Sequence, residues 1–158
     1  MASRVLKIAT AVVLLSALAG SAQAQTSRLH IGPRISYQFD LEEVGLGVQV
    51  GVPVARHLEF YPSFDYFFVD PGSFWNLNAD LKYRLEGQGL NWLYLGTGVN
   101  IARASAGGSS NTDAGLNLFA GLESLKGSVH PFGEFRFTVG DGSTAMVAAG
   151  LNFTLGHN

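Results

Sequence analysis

The sequence predicts an all-β chain of eight antiparallel strands, joined by short links and closed on themselves as an up-and-down barrel. Three observations carry this expectation. Apolar and polar residues alternate with a period of two along eight segments, the mark of strands whose two faces see different media. The links between segments are short and rich in Gly, Pro, Asp, Asn and Ser, which turns need. An even strand number with hairpin-length links lets the last strand return to the first.

The first 24 residues stand apart. Arg4 and Lys7 precede an apolar run from Ile8 to Leu18, too short to span a bilayer, and Ala22 and Ala24 give a small-residue cleavage site. This is the pattern of a cleaved signal peptide over 1–24, leaving 25–158 as one barrel domain. Removal of Arg4 and Lys7 takes Lys+Arg from 10 to 8 against 12 Asp+Glu, so the net charge falls from −2 to −4. That excludes a basic field for nucleic acid. The absence of cysteine excludes a disulfide framework and thiolate zinc sites. Charged residues are 14% of the chain, low against about 25% in soluble domains.

In chain order, 28–39 sets Leu29, Ile31, Pro33, Ile35, Tyr37 and Phe39 against Arg28, His30, Arg34, Ser36 and Gln38. Segment 44–52 alternates Val or Leu with glycine and Gln49. In 57–69, Leu58, Phe60, Phe64, Tyr66 and Phe68 oppose Glu59, Tyr61, Ser63 and Asp65. The run WNLNADLKYRL at 75–85 alternates throughout. Segment 91–103 sets Leu93, Leu95, Val99 and Ile101 against Trp92, Tyr94, Gly96 and Asn100, and 113–125 sets Leu116, Leu118 and Leu122 against Asn117, Phe119 and Glu123. In 129–139, Val129, Phe135, Phe137 and Val139 oppose His130, Phe132, Glu134 and Arg136. The last segment, 144–156, sets Val147, Ala149, Leu151, Phe153 and Leu155 against Met146, Gly150, Asn152 and Thr154. Links are expected at 40–43, 53–56, 70–73, 86–89, 104–112, 125–128 and 140–143, the longest being ASAGGSSNT.

The polar face makes a poor surface for water, because it mixes glycines with Trp92, Tyr94, Phe119 and Phe132. Its ions balance: Arg28, Arg34, Lys82, Arg84 and Arg136 against Glu59, Asp65, Asp80, Glu123 and Glu134, as buried charges must. The apolar face is nearly free of charge and has aromatics near strand ends. The polar face is therefore expected inside and the apolar face in lipid, in a transmembrane β-barrel whose strands of about 9–13 residues suit a tilted crossing. If the third and fourth strands turn at 70–73, Glu59 faces Arg84 and Tyr61 faces Lys82.

This pattern resembles the small eight-stranded outer-membrane barrels of OmpA and OmpX type over residues 28–156. The resemblance includes the final strand AAGLNFTL, in which Ala149, Leu151, Phe153 and Leu155 alternate as in that family's insertion signal, although this chain ends in Gly156-His157-Asn158. It implies an outer-membrane location in a Gram-negative bacterium, termini in the periplasm, and a monomer. It also implies contact with membrane lipid, lipopolysaccharide and the barrel assembly machinery.

The function expected is structural or surface-interacting, with the ion-paired lumen plugged by its own side chains. One alternative is a barrel binding a small apolar ligand, as a soluble calyx or through a lateral opening. The other is an outer-membrane lipid-modifying enzyme. Ser128, His130 and Glu134 share one strand face, but an extended strand spreads them over roughly 20 Å, too far for a triad. No catalytic residue, cofactor site or metal site is expected, the acids of the outer links having no ligand spacing.

Overall fold

The computed structural model describes residues 29–87, 89, 91–140 and 142–155. The signal-peptide reading of 1–24 and the lumen placement of Arg28 fall outside the described residues. Strand segments run β1 (Leu29–Gln38), β2 (Glu43–Ala55), β3 (Leu58–Phe60), β4 (Ser63–Phe67), β5 (Ser73–Arg84), β6 (Leu93–Ala106), β7 (Ser109–Glu123), β8 (Val129–Gly140) and β9 (Thr144–Leu155). All pairings are antiparallel between strands consecutive around the barrel, and β1 also pairs with β9. β3 and β4 both lie between β2 and β5, as two halves of one barrel strand. The result is a closed, eight-stranded, antiparallel barrel.

The segment expected to run unbroken over 57–69 is interrupted at Tyr61-Pro62. Pro62 has no N–H to give the ladder. Its carbonyl still accepts from Val50 N at 3.0 Å, and Tyr61 N donates to Asp80 O at 2.8 Å, so the wall stays sealed. At the end that carries Leu29 and Leu155, β2 continues to Ala55, three residues into the link expected at 53–56. The turn there is Arg56-His57, with His57 at φ 63°.

The larger correction is at the opposite end. Residues 104–112 are not a loop. β6 and β7 pair without a break from Leu93↔Leu122 to Ala106↔Ser109. Gly107 and Gly108 close the hairpin at φ 58° and 83°, the positive angles a two-residue turn of this hand requires. The Ser, Thr and Asn content reads as a link only because neither face of this stretch is buried. β5 follows β6 no further than Ser105, and β8 meets β7 from Gly115 onward, so the hairpin tip projects past the barrel rim. Between the described strands the widest spacing is instead from Arg84, where β5 ends, to Leu93, where β6 begins, at the terminal end.

The alternation sorts the side chains as expected. Ile35 is 52% exposed and Leu116 61%, whereas Arg34 is 2% exposed and Asn152 0%. The lumen is filled, and glycine makes the room. His30 lies across from Gly51, Phe119 from Gly96, Tyr94 from Gly121, Phe67 from Gly45 and Phe132 from Gly150. In each case the large side chain covers its glycine partner: a Cβ at Gly96 would stand 2.0 Å from Phe119 Cζ, and one at Gly121 2.2 Å from Tyr94 Cζ. Tyr61, Tyr94 and Phe119 form the lumen's apolar cluster. Trp92 departs from the expectation. It sits in the 85–92 link, 44% exposed, with its indole N–H donating to the Gly89 carbonyl.

The packing across these glycines predicts that Gly96→Ala lowers stability by about 1–3 kcal/mol, since Phe119 has no free space to retreat into. Gly133→Ala, where an added Cβ meets nothing within 4 Å, is the matched control with little effect. Urea midpoints of the two variants in detergent check this.

Candidate functional site in the barrel lumen

The lumen side chains come from every barrel strand because each strand sends alternate residues inward. Nine of the ten ions expected there are described, and they form two groups. Toward the hairpin end, Arg34 Nε lies 3.1 Å from Asp65 Oδ1 and Arg34 Nη2 3.4 Å from Glu134 Oε1. Arg136 reaches Asp80 Oδ2 at 2.6 Å and Glu134 Oε1 at 3.0 Å. Toward the terminal end, Lys82 Nζ is 2.9 Å from both Glu59 and Glu123. Arg84 Nη2 is 2.8 Å from Glu123 and 3.5 Å from Glu59.

Neutral groups join the two. Arg34 Nη1 donates to Gln49 Oε1 at 3.2 Å, Gln49 Nε2 to Asn152 Oδ1 at 2.6 Å, and Asn152 Nδ2 to Glu123 Oε1 at 2.6 Å. Aromatic faces take up the remaining cationic surface. Lys82 Nζ stands 4.5 Å from the Tyr61 ring centre and 4.8 Å from that of Tyr94, and the Arg136 guanidinium is 4.6 Å from that of Phe119. Tyr94 also donates to Glu134 Oε2 at 3.1 Å. Beyond Asp80 an amide layer continues the network. Asn117 donates to Asp80 and to Asn78 Oδ1, and Asn100 donates to the same Asn78 oxygen.

The register between the third and fourth barrel strands corrects the sequence expectation. Glu59 faces Lys82, not Arg84, and Ser63 faces Asn78. Pairing runs to Phe67↔Phe74, so the hairpin is centred between Asp70 and Pro71, one residue earlier than a turn at 70–73 implies. A shift of two in the partner leaves every face unchanged, which is why alternation alone does not detect it. Arg84 still reaches Glu59, diagonally. Sequence reasoning also missed His30, whose Nε2 lies 3.1 Å from Glu59 Oε2 and whose ring is 6.5 Å from that of His130. Its place on the Arg34 face was the available signal.

The Ser128, His130 and Glu134 set does not converge. His130 Nε2 lies 2.9 Å from the Gly127 carbonyl oxygen, while Glu134 is held by Arg34, Arg136 and Tyr94. Among the described residues no three His, Cys, Asp or Glu side chains come together as a cation site. Ala149, Leu151, Phe153 and Leu155 lie outward on β9, where Phe153 pairs across to Ile31 and Val129. What the lumen geometry can do chemically is hold opposite charges together and fill the bore.

Breaking one partner of a buried network costs more than the pair contributes, because the survivors stay charged in a poor solvent. Glu123→Ala leaves Lys82, Arg84 and Asn152 facing its vacated place, and is expected to destabilise the barrel by about 3–5 kcal/mol. Glu86→Ala, which removes the exposed partner of Arg56 and His57, is expected to cost about 1 kcal/mol or less. Urea titration followed by tryptophan fluorescence compares the two.

No family model and no curated protein matches the chain. Solved structures do. The N-terminal β-barrel domain of Pseudomonas aeruginosa OprF superposes with a TM-score of 0.68 at 14% identity, over 80% of this chain and 96% of that one. Neisserial surface protein A gives 0.55 at 15% identity, over 81% and 95%. The de novo designed TMB2.3 gives 0.53 at 12% identity, over 85% and 99%. At these identities the likeness is one of fold, and the fold of this chain is that of the small eight-stranded outer-membrane β-barrels of OmpA and OmpX type.

Proposed function

We propose that the protein is a monomeric barrel of the Gram-negative outer membrane, with a structural or surface-interacting role and a lumen that does not conduct. One observation carries this reading: the apolar side chains form the outer surface, and the ionic side chains are buried in the bore. Leu46, Leu77, Leu95, Val99, Leu118 and Phe135 are each more than two-fifths exposed on the wall. Such a belt is unfavourable in water and favourable in hydrocarbon, at about 25 cal/mol per Å². A soluble calyx would need the reverse arrangement. The contacts of this wall are then membrane lipid, with lipopolysaccharide in the outer leaflet. The termini lie in the periplasm and the β6–β7 hairpin faces outward. A reaction is not part of the proposal, since His130 is bonded to the Gly127 carbonyl and Glu134 to Arg34, Arg136 and Tyr94.

Two outcomes test this. Protein exported in a Gram-negative host should fractionate with the outer membrane and run faster on SDS gels unboiled than boiled, because a closed sheet has no edge for detergent to open. In planar bilayers it should give no discrete conductance steps. A soluble product without a gel shift contradicts the membrane location; steady channel openings contradict the plug. The outward β9 residues are proposed to serve the assembly machinery. Phe153→Asn is expected to reduce the heat-shifted fraction in the outer membrane severalfold, whereas Thr154→Asn, whose side chain points inward, should leave most of it.

A further inference from the structure

The hairpin end of the barrel carries a cup that the structural role does not use. Its volume is about 350 Å³, at the lower end of small-molecule sites. Leu41 and Val69 come from the first two links at this end and Pro71 from the second; Phe74 supplies a ring from β5, and Ala104 and Ala106 line the wall on β6. Ser109 and Asn111, paired with Ala106 and Ala104, complete it from the second strand of the hairpin. The projecting β6–β7 hairpin is what gives the cup its height. Without those extra pairs, the two short links would lie open.

The surrounding charge is one-sided. Asp70 sits between Val69 and Pro71, and Asp40 and Glu42 flank Leu41. Asp40 is occupied, its Oδ2 accepting from Ala145 N at 3.0 Å. Asp70 and Glu42 are exposed, and neither makes an ion pair with a described residue. The nearby cation on the hairpin, Arg103, lies on the outward face of β6 and donates to the hydroxyl of Ser110, a residue of the cup's rim, at 3.2 Å. On the cup's own face, Asn111 donates to a further carboxylate, Asp113, at 2.9 Å. An apolar cavity with several carboxylates around it and, among the described residues, no cation on its own face disfavours phosphates and fatty acids.

We propose that this cup binds a small amphipathic cation, with an apolar body about the size of one aromatic ring seated against Phe74 and an ammonium at the lip beside Asp70 and Glu42. Exposed charge pairs are weak, so most of the affinity comes from the apolar seat and the carboxylates supply the selectivity. The inference goes beyond the proposed function and needs only that this end of the barrel stands in water.

Phenethylammonium and its neutral counterpart 2-phenylethanol are the probes, titrated into the ¹⁵N-labelled full mature chain in lipid nanodiscs. Phenethylammonium should shift the amide signals of Leu41, Val69 and Ser105, and 2-phenylethanol should bind more weakly. Asp70→Asn with Glu42→Gln should weaken the cation by roughly two- to five-fold and leave the alcohol unchanged. Half-molar salt should do the same. Ala104→Trp fills the cup from an exposed position and should abolish the shifts, with Ala106→Trp as the second filling variant if the first does not fold. Equal binding of cation and alcohol overturns the proposal. So do shifts that persist in the folded filling variant, or shifts confined to the lipid-facing wall. The gel shift and bilayer recordings test the membrane reading separately, and a cup that fails to bind leaves both of them unchanged.

Discussion

The pairing of β1 with β9 is the contact on which the rest depends. It joins Leu29 to Leu155 and Gln38 to Met146, the two ends of the described chain in one ladder. A sheet left open there would present a row of backbone N–H and C=O groups to its surroundings, each costing several kcal/mol in hydrocarbon. Closure removes the edge and fixes the strand number. Eight strands then fix the bore, which is only wide enough for side chains. Most of the polar side chains inside therefore find their partners in one another, with the Tyr61 hydroxyl, Asp65 Oδ2 and Arg84 Nη1 left without one.

That constraint explains why the interior is written as pairs. His30, Phe67, Tyr94, Phe119 and Phe132 each have a glycine across the ladder, and each described lumen ion has an opposite charge within 4 Å. Buried ion pairs contribute little net stability, since desolvation offsets attraction. Their stronger effect is on register. A slip of one residue would turn Lys82 and Glu123 toward lipid. A slip of two in one direction would set Phe119 against Tyr94 in place of Gly96. The glycines and the ions thus exclude different errors, and together they leave one alignment of β6 on β7.

The faces of this barrel were legible in the sequence because a period of two is a strong signal over eight segments. The alignment between strands was not, because it depends on where a turn is centred, and the turn at Asp70-Pro71 differs from the reading of DPGS by one residue. Glu59 therefore meets Lys82 first and Arg84 second. The β6–β7 tip was misread for a related reason. Alternation marks a strand only where one face is buried, and Ser109 to Thr112 have both faces in the open. The glycine positions did carry information on register. His30 with Gly51, Tyr94 with Gly121 and Phe132 with Gly150 would have selected the observed ladders had they been matched across strands. His30 belonged with the ions on the same grounds as Arg34.

A barrel of this kind has few places where recognition can occur. If, as proposed, its wall faces hydrocarbon and its bore is closed by its own side chains, specific chemistry is confined to the two rims. The terminal rim carries the Arg56, His57 and Glu86 contacts, which are exposed and screened and so hold little shape. At the other rim the chain continues ladder hydrogen bonds past the membrane-spanning belt. A ladder without a core is marginal on its own. Here it is anchored by Leu93 to Ala104 of β6, which pair below it with β7, and by β5 as far as Ser105. The barrel thus supports a short polar hairpin beyond its rim, and the open cup on the hairpin's inner side gives that rim a shape of its own.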